Sequence, residues 1–361
     1  MNNNKLIIFI GTLQSGGAER VVSEISSMYA DYFKEVIVLT YYDAEVFYRM
    51  DSRVRLECVE CQTNSRNIIK NMLTLRRFVK KESPDVFLSF LLPFNILSIW
   101  SLMFLHIPVA VCERSDPQKV GSSWLRAFRN FSYRFCKGVQ VQTSAGRTCF
   151  PAAVQKKIFV IPNPNHVTLD ERNWALKQVK EKRIVTVGRL IPEKNPRLLI
   201  DAFSMLNKEF PDYSLEFYGE GVLKSMMLER ISELGLTDKV FLRGNVNDVP
   251  HHIASAEIFV LSSDLEGMPN ALMEAMALGL PCVATDVSGV RDIISDGDNG
   301  FIVPVGNKEA MADRIKQLIE LEGIKNRFSD NSINVLSKFD KEKVFKLWLE
   351  LVNIKTEENG K

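Results

Sequence analysis

Short runs of β-branched and aliphatic residues alternate with helical stretches along the whole chain. Six runs precede residue 162 and six follow it, and such alternation of strand with helix predicts parallel sheets covered by helices on both faces. We therefore predict an α/β protein of two doubly wound, Rossmann-like domains. The predicted strands are residues 6–10, 35–40, 86–90, 109–112, 139–141, 158–161, 183–187, 215–218, 240–242, 258–261, 282–284 and 300–303.

The two sets of strands are separated by the cluster Pro162-Asn163-Pro164-Asn165 and a polar stretch over residues 168–182. Proline and asparagine favour turns, so this region predicts an interdomain linker. We expect an N-terminal domain over residues 1–165 and a C-terminal domain over 166–339. Open sheets of this kind bind ligands at the carboxyl ends of their strands, which predicts two facing domains with a site in the cleft between them. Residues 340–361 begin as a helical pattern that could pack back on either domain, and we assign them to the first.

One apolar segment tests whether the chain crosses a membrane. Residues 86–112 contain no Asp, Glu, Lys or Arg over 27 positions, which is long enough to span a bilayer. Pro93, His106 and Pro108 interrupt the segment. The alternating pattern therefore favours a strand, a buried helix over 94–105 and a second strand over a membrane-spanning helix.

The composition agrees with a two-domain α/β protein, and the distribution of charge adds information about its partners. The chain has 361 residues, 46% hydrophobic and 25% charged, which excludes collagen-like, coiled-coil and disordered classes. Its net charge of +2 hides an asymmetry, because residues 1–165 hold 21 Lys and Arg against 13 Asp and Glu, while residues 166–361 hold 25 against 31. A basic half suggests a polyanionic partner or an anionic membrane surface.

Two stretches with interleaved basic and apolar residues, 66–81 and 124–137, flank the apolar segment. Such faces either dock at a membrane interface or are ordinary solvated faces over a core. The chain opens without a charged start, apolar stretch and cleavage site, so we do not expect export. The favoured interpretation is a cytoplasmic protein peripherally associated with the inner face of the cytoplasmic membrane, with anionic lipid rather than nucleic acid as its partner.

A glycine-rich loop follows the first predicted strand. Its glycines have phosphate-loop spacing, but Gly17 stands where that loop needs lysine, and the dinucleotide pattern GxGxxG is absent. Neither an ATPase nor an NAD enzyme is supported. Gly16 and Gly17 could still let a phosphate or sugar approach backbone N–H groups at a helix N-terminus, or they could form a tight turn only.

Charged residues follow two strands of the second half. Arg189 stands just past a strand and Lys194 just before a helix, where two cations can hold a diphosphate. Glu266 and Glu274, eight positions apart, would be about 12 Å apart if the intervening residues were helical. That exceeds the roughly 5–9.5 Å of a glycosidase carboxylate pair, so the two glutamates should have different tasks. Glu266 in its loop can reach a sugar, whereas Glu274 can accept hydrogen bonds from ribose hydroxyls.

Taken together, these motifs resemble the group 1 (family 4) retaining glycosyltransferases of the two-domain GT-B fold. The resemblance covers nearly the whole chain and is more specific than any single motif. Its carriers are Gly16-Gly17-Ala18-Glu19-Arg20, Gly188-Arg189-Leu190, Lys194-Asn195-Pro196, Gly219-Glu220-Gly221, Glu266 with Glu274, and Asn299-Gly300.

The resemblance implies a hexosyltransferase (EC 2.4) whose nucleotide-sugar donor, with UDP favoured, is held mainly by the C-terminal domain. It implies Arg189 and Lys194 on the diphosphate, Glu274 on the ribose and Glu266 on donor sugar hydroxyls, with Glu266, Arg189 and Lys194 as the catalytic set. The acceptor would lie against the N-terminal domain. The implied donor-binding residues are Gly16, Gly17, Gly188, Gly219, Asn245, Gly267, Met268, Pro269, Asn270, Ala271, Leu272 and Glu274.

Within that family the chain is similar to bacterial transferases that extend polyprenyl-diphosphate-linked oligosaccharides, including N-acetylgalactosaminyltransferases. The narrower likeness lies in residues 13–20, 85–90 and Cys112-Glu113-Arg114-Ser115. Relatives often carry histidine after the glutamate of the last motif, near the donor sugar, whereas this chain carries Arg114. Arg114 is therefore a candidate contact to the donor sugar or the acceptor, with a permanent cation in place of a neutral imidazole.

The expected reaction is retaining transfer of a hexose or N-acetylhexosamine to a sugar hydroxyl of a lipid-linked glycan, in assembly of cell-surface polysaccharide or glycoprotein. Two alternatives stay open: a GT-B sugar-nucleotide epimerase, and a non-catalytic scaffold of a polysaccharide-assembly complex. No cofactor or metal is expected. Asp296-Gly297-Asp298 has the spacing of a metal-binding pair but falls in a Gly/Asn turn, and relatives balance diphosphate charge with Arg and Lys.

Overall fold

The computed structural model describes residues 2–14, 16–59 and 67–352. Within them the chain forms two compact units. The first runs to Asn163 and takes in the C-terminal helix from Glu342, and the second is Pro164–Lys341. The sequence placed the boundary two residues later, after residue 165, and residues 353–361 of the expected C-terminal segment lie outside the described part.

Each unit is built on one fully parallel sheet. The first sheet has the strand order β3-β2-β1-β4-β5-β6-β7 and the second has β10-β9-β8-β11-β12-β13. Both orders belong to the doubly wound class, in which helices cover both faces, so the predicted fold class is confirmed. The strands are β1 Asn2–Ile10, β2 Phe33–Thr40, β3 Val54–Cys58, β4 Val86–Phe90, β5 Val109–Cys112, β6 Gly138–Val141, β7 Ile158–Val160, β8 Glu181–Val187, β9 Ser214–Tyr218, β10 Val240–Gly244, β11 Ala256–Leu261, β12 Cys282–Thr285 and β13 Phe301–Val303.

The helices lie between these strands and at the chain end. Two single turns of 3₁₀-helix, Tyr133–Phe135 and Pro192–Lys194, accompany them. The α-helices are α1 Gly17–Tyr29, α2 Ile68–Glu82, α3 Leu92–Leu102, α4 Ser123–Ser132, α5 Ser144–Thr148, α6 Ala152–Gln155, α7 Leu169–Ala175, α8 Pro196–Leu206, α9 Lys224–Glu233, α10 Val249–Ile253, α11 Asn270–Ala277, α12 Val290–Ile293, α13 Lys308–Glu320, α14 Glu322–Asn331, α15 Asn334–Lys338 and α16 Lys341–Leu351.

Burial on both faces explains the continuous apolar runs that predicted the strands. In β1, Leu6 and Ile8 pack into one hydrophobic cluster, while Ile7 and Phe9 pack into the cluster on the opposite face. A strand covered on both sides has no solvated face, so it needs apolar residues at every position. The same holds for the central strands of the second sheet, where Val185 and Ile184 enter different clusters.

The sequence missed one strand, β3. It pairs only with β2 at the edge of the first sheet, and its sequence Val54-Arg55-Leu56-Glu57-Cys58 alternates apolar with charged residues. An edge strand keeps part of its surface in water, so it lacks the apolar run that marked the central strands. Arg55 and Glu57 use that solvated side in ion pairs.

The apolar segment over residues 86–112 folds as β4, α3 and β5, inside the first unit. The helix ends earlier than expected, at Leu102, and the turn after it holds Phe104 and His106 at positive φ. Among the described residues, no helix has the length and apolar character needed to cross a bilayer.

Part of the predicted linker over residues 168–182 is instead structured, so that interpretation is wrong there. Thr168 and Glu171 form a reciprocal capping box at the start of α7. Arg172 is buried, and its guanidinium donates to the carbonyl oxygens of Met276 and Ala277 at the end of α11. Polar composition misled the prediction because capping and carbonyl contacts use polar side chains as fully as a solvated linker does.

The basic stretch over residues 124–137 also needs one correction. Arg129 is not part of a solvated face, because its side chain is 1% exposed. Its Nη1 donates to the carbonyl oxygen of Pro117 at 2.8 Å, and its guanidinium lies 4.5 Å from the ring centre of Phe150. Arg66, which opens the other basic stretch, lies outside the described residues.

The C-terminal helix α16 packs against the first unit through Trp348. Its indole ring stacks on Phe90 of β4 with ring centres 5.9 Å apart. The backbone carbonyl oxygen of Trp348 accepts a hydrogen bond from the hydroxyl of Tyr29 in α1 at 2.8 Å. The helix therefore fills the core of the first unit although it follows the second unit in sequence.

Trp348→Ala should lower the free energy of unfolding of the first unit by about 3–5 kcal/mol, because it removes a fully buried aromatic side chain. Urea unfolding followed by circular dichroism measures the change. Lys346→Ala, on the exposed side of the same helix, is the control and should change stability by less than about 0.5 kcal/mol. Equal stability of the two variants would contradict the packing described for α16.

Candidate functional site

The strand order of the second sheet locates its ligand-binding edge. β8 lies between β9 and β11, so the connections from β8 and β11 leave in opposite directions and open a crevice at their carboxyl ends. The loop after β8 carries Gly188, Arg189 and Lys194, and the loop after β11 carries Glu266. The topology thus brings the candidate residues of two distant sequence segments to one edge.

Lys194 and Glu266 form an ion pair there. The Nζ atom of Lys194 lies 2.5 Å from Oε1 of Glu266, and the hydroxyl of Ser263 donates to the same oxygen at 2.7 Å. Glu266 is 9% exposed and Lys194 28% exposed, so the pair is largely withdrawn from water. The sequence assigned these two residues to different parts of a donor, and the structure shows in addition that they contact each other.

Asn195 and Asp264 connect the two loops, and the sequence analysis gave neither a role. Asn195 adopts a left-handed conformation with φ 41°, and its Oδ1 caps α8 by accepting from the N–H of Leu198. Its Nδ2 lies 3.0 and 3.1 Å from the carboxylate oxygens of Asp264. An asparagine before a proline at the first helical position was the available sequence signal for this cap.

Backbone contacts complete the connection between these loops. The N–H groups of Asp264 and Leu265 donate to the carbonyl oxygen of Glu193 at 2.9 and 3.2 Å. The hydroxyl of Ser262 donates to the carbonyl oxygen of Lys194 at 3.0 Å. These bonds hold Lys194 and Glu266 in place from both sides, so the ion pair is preorganised.

Arg189 differs from Lys194, because its side chain is exposed. Among the described residues no acceptor or carboxylate contacts its guanidinium. A pocket at this edge is lined by Gly188, Arg189, Lys194 and Ser263. A cation without a protein partner beside a pocket is suited to bind an oxyanion such as a phosphate.

Two glycines allow the loops around β8 to approach closely. At Gly219, which follows β9 with φ 144°, an added Cβ would lie 2.0 Å from the carbonyl oxygen of Gly188. At Gly221 it would lie 2.3 Å from the carbonyl oxygen of Leu190. Position 219 therefore needs a glycine, because any side chain there would meet the backbone of Gly188. Asn245 is exposed and follows the edge strand β10.

The helix after Glu266, α11, begins at Asn270. Pro269 precedes it and makes no side-chain cap. Met268 and Leu272 are buried in the core of the second unit, so only their backbone groups are available to a ligand. Gly267, Asn270, Ala271 and Glu274 are partly exposed, with Glu274 one turn into the helix.

Gly16 and Gly17 lie in the first unit, at the corresponding edge of the first sheet. They follow β1, which lies between β2 and β4, and α1 begins at Gly17. Gly16 is extended, and an added Cβ would lie 2.1 Å from a carboxylate oxygen of Glu19, while Gly17 faces open space. Ser15 of the same loop lies outside the described residues.

Arg114 lies at the same edge of the first sheet, directly after β5 and Glu113. The residue as a whole is half-buried, but the Nε and Nη1 atoms of its guanidinium are enclosed. Its Nη2 donates to Oδ1 of Asn163 at 2.6 Å. Burial lowers its pKa to about 10. Glu113 beneath it is buried and accepts a hydrogen bond from the Tyr133 hydroxyl at 2.5 Å, and burial raises its pKa.

The aspartates of Asp296-Gly297-Asp298 hold a turn. Asp296 accepts from the N–H of Ile302 at 2.9 Å, and Asp298 accepts from Nδ2 of Asn331 at 2.8 Å. Within residues 2–14, 16–59 and 67–352, no three His, Cys, Asp or Glu side chains gather in a group that could hold a metal ion.

The second unit matches a known protein family. The family model of the group 1 glycosyl transferases matches residues 169–335, which include β8 to β13 and both loops of the candidate site. This part of the chain is a group 1 glycosyl transferase domain, and the protein is a glycosyltransferase, as its sequence motifs indicated.

Several relatives are similar to this chain over nearly their whole length. Two of them come from Campylobacter jejuni. One is 27% identical, with 96% of this chain and 98% of that protein covered, and is named GalNAc-alpha-(1->4)-GalNAc-alpha-(1->3)-diNAcBac-PP-undecaprenol alpha-1,4-N-acetyl-D-galactosaminyltransferase. N-acetylgalactosamine-N,N'-diacetylbacillosaminyl-diphospho-undecaprenol 4-alpha-N-acetylgalactosaminyltransferase is 28% identical, with 94% and 97% covered.

Solved structures share the fold. Anabaena HepE in complex with UDP superposes with a TM-score of 0.79 at 19% identity, covering 96% of this chain and 98% of that one. Staphylococcus aureus TarM, also crystallised with UDP, superposes with a TM-score of 0.79 at 16% identity, covering 97% and 100%. The GT-B architecture expected from the sequence is confirmed.

Gly219→Ala should destabilise the second unit by about 1–3 kcal/mol, because a side chain at this φ is strained and its Cβ meets a backbone oxygen that cannot turn away. Thermal unfolding measures the loss. Gly323→Ala is the matched control, since Gly323 lies in α14 with no atom within 4 Å of an added Cβ, and it should be neutral or slightly stabilising. Similar melting temperatures for the two variants would contradict the close approach of β9 to Gly188.

Proposed function

We propose that this glycosyltransferase moves a hexose or N-acetylhexosamine, with retention of configuration, from a UDP-sugar to a hydroxyl of a polyprenyl-diphosphate-linked glycan. Its place would be the assembly of cell-surface polysaccharide or glycoprotein. The observation that carries the proposal is the group formed by Arg189, Lys194 and Glu266 at the carboxyl edge of β8 and β11.

Electrostatics makes this group suited to glycosyl transfer. Negative charge builds on the departing diphosphate, and fixed cations stabilise that charge more strongly in the transition state than in the ground state. Arg189 offers a guanidinium that has no partner in the described parts of the chain, and Lys194 offers a positioned ammonium. Catalysis would then come mainly from cations that are already in place.

Glu266 fits the binding of donor sugar hydroxyls better than nucleophilic attack. Its Oε1 already accepts hydrogen bonds from Lys194 and Ser263. A carboxylate held in this way is an oriented acceptor for further hydroxyl groups. Retention would follow from front-face attack, with the leaving phosphate taking the acceptor proton, so that no separate base is required.

The relatives support the choice of substrates. Both Campylobacter jejuni proteins are named as transferases acting on undecaprenol-linked diphosphate oligosaccharides. HepE and TarM were both crystallised with UDP. We carry these substrate classes over to this chain as part of the proposal, together with the family's use of cations rather than a metal for the diphosphate.

Lys194→Ala and Arg189→Ala should each reduce turnover by about 10²-fold or more, if each side chain acts like one preorganised donor to the developing charge. Turnover is measured with a UDP-sugar panel and a polyprenyl-diphosphate-linked sugar, in EDTA. Lys208→Ala, an exposed lysine after α8, is the control and should leave turnover unchanged.

Full activity of both variants would refute the assignment of the site. Conversion of the UDP-sugar to an isomer when no acceptor is present would favour the epimerase alternative. Loss of wild-type activity in EDTA would overturn the metal-independent part of the proposal.

We propose further that the first unit docks on an anionic membrane surface. The docking face consists of aromatic side chains on α3, on α4 and after both helices, with basic side chains among them. Trp100 of α3 stacks on Phe128 of α4 with ring centres 6.1 Å apart. Trp124 and Phe104 project from it with 74% and 84% exposure. Its members are Trp100, Phe104, Trp124, Arg126, Phe128, Phe131, Arg134, Phe135 and Lys137.

Helix α2 extends this docking face. Arg76 of α2 donates to the carbonyl oxygens of Ser101 and Met103 at the end of α3, so the two helices are adjacent. Ile69 and Leu73 of α2 are exposed, as is Arg77. Interleaved aromatic and basic side chains are typical of a membrane interface, which supports anionic lipid over nucleic acid as the partner.

The triple variant Arg126→Gln/Arg134→Gln/Lys137→Gln should bind phosphatidylglycerol vesicles about 10²-fold more weakly, at about 1 kcal/mol for each basic residue near the surface. Vesicle co-sedimentation measures the difference. The control Lys177→Gln/Lys208→Gln/Lys308→Gln removes the same charge from exposed sites of the second unit and should bind like wild type. Equal weakening by both triple variants, or a wild-type protein that does not bind the vesicles, would refute the docking face.

A further inference from the structure

Arg114 is a cation whose polar contacts are incomplete. The Nη2 atom of Arg114 donates to Oδ1 of Asn163. When the side-chain amide of Gln142 is turned over, the Gln142 oxygen also accepts from this Nη2, at 3.3 Å. Nε and Nη1 are buried from water, and neither has an acceptor among the residues that the structure describes. Two of the three guanidinium nitrogens are therefore enclosed without a hydrogen bond.

Within the described part of the chain, no carboxylate forms an ion pair with this guanidinium. Glu19 and Glu24 are near enough for their charges to favour the cation, but neither forms an ion pair with it, and Glu24 is held by Arg20 at 3.1 Å. The adjacent Glu113 turns to Tyr133 and Arg129 instead. The polar neighbours that do contact Arg114 are the neutral amides of Asn163 and Gln142.

This arrangement costs stability unless a ligand completes it. Burying a charge without a counter-ion is unfavourable, and buried N–H donors without acceptors add to that penalty. A group retained at such a cost is typical of a functional site rather than of structural packing. The carboxyl edge of the first sheet, beside the strands β4 and β1, is also where a doubly wound sheet binds ligands.

We propose that Arg114 binds an oxyanion of the substrate and so selects a charged substrate over a neutral one. The inference rests on the proposed function, because it assigns the anion to one of that reaction's two substrates. Two sources share the chemistry: a carboxylate on the transferred sugar, as in a uronic acid, and a phosphate of the lipid diphosphate acceptor. Either would supply acceptors to Nε and Nη1 and a counter-charge to the guanidinium.

A purely structural role predicts a different behaviour. If Arg114 served to hold Asn163 at the end of the first unit, its removal would destabilise the protein. If it is held for a ligand, replacing it with an apolar side chain of similar length removes an uncompensated charge and should leave the unfolding temperature unchanged or raise it.

The test uses the full chain and the variant Arg114→Met, with Arg197→Met as a control that removes an exposed arginine of the second unit. Binding is measured by thermal shift and calorimetry with two matched pairs, UDP-glucuronic acid against UDP-glucose and farnesyl diphosphate against farnesol. UDP alone reports whether the nucleotide site is intact.

For Arg114→Met we expect unchanged UDP binding, an unfolding temperature at or above that of wild type, and about 10- to 100-fold weaker binding of one anionic ligand, as for loss of hydrogen bonds to a charged group. Loss confined to UDP-glucuronic acid identifies the sugar carboxylate. Loss confined to farnesyl diphosphate identifies the acceptor phosphate. Arg114→Lys should retain part of the lost affinity.

Three outcomes overturn the inference: an unfolding temperature well below that of wild type, unchanged affinity for both anionic ligands, or equal loss in Arg197→Met. Failure of the proposed function is separable from these. It would appear as a wild-type protein that does not bind UDP, or as UDP binding that survives in Lys194→Ala and Arg189→Ala.

Discussion

Burial of the central strands on both faces is the constraint on which the rest of this structure depends. A parallel sheet covered by helices keeps most positions of its strands apolar, as the alternate burial of Leu6 and Ile7 in opposite clusters illustrates. Chemistry is thereby confined to the loops at the strand ends. Because parallel strands end at the same edge, residues far apart in sequence, such as Lys194 and Glu266, come within 2.5 Å of each other.

The loops that carry this chemistry are held by polar contacts as well as by packing. Asn195 caps α8 and contacts Asp264, and Glu193 accepts from the backbone of the next loop. Side chains in such loops lose little further freedom when a ligand binds, which is the physical meaning of preorganisation. The two units use this edge differently: Lys194 is paired with a carboxylate, whereas Arg114 is enclosed with neutral amides and unfilled donors.

Most strands could be predicted because their apolar runs report burial directly. β3 could not, since Arg55 and Glu57 place charge on an edge strand that keeps one side in water. The stretch over residues 168–182 was misinterpreted for the opposite reason: Arg172 is polar yet buried, because its guanidinium meets carbonyl oxygens of α11. Arg129 was likewise assigned to a surface that it does not reach. Composition reports the average solvation of a segment, and a single buried arginine departs from that average.

The sequence by itself determined the α/β class and which residues stand at the strand ends, because the spacing of apolar runs and short motifs depends only on local order along the chain. Its motifs indicated a glycosyltransferase through their resemblance to a known family. Tertiary structure alone decided which of those residues meet. The contact of Lys194 with Glu266 spans 72 positions, and the enclosure of Arg114 depends on Asn163 from another strand end. Solvation and hydrogen-bond completeness are properties of the surroundings, so no pattern within a single segment can specify them.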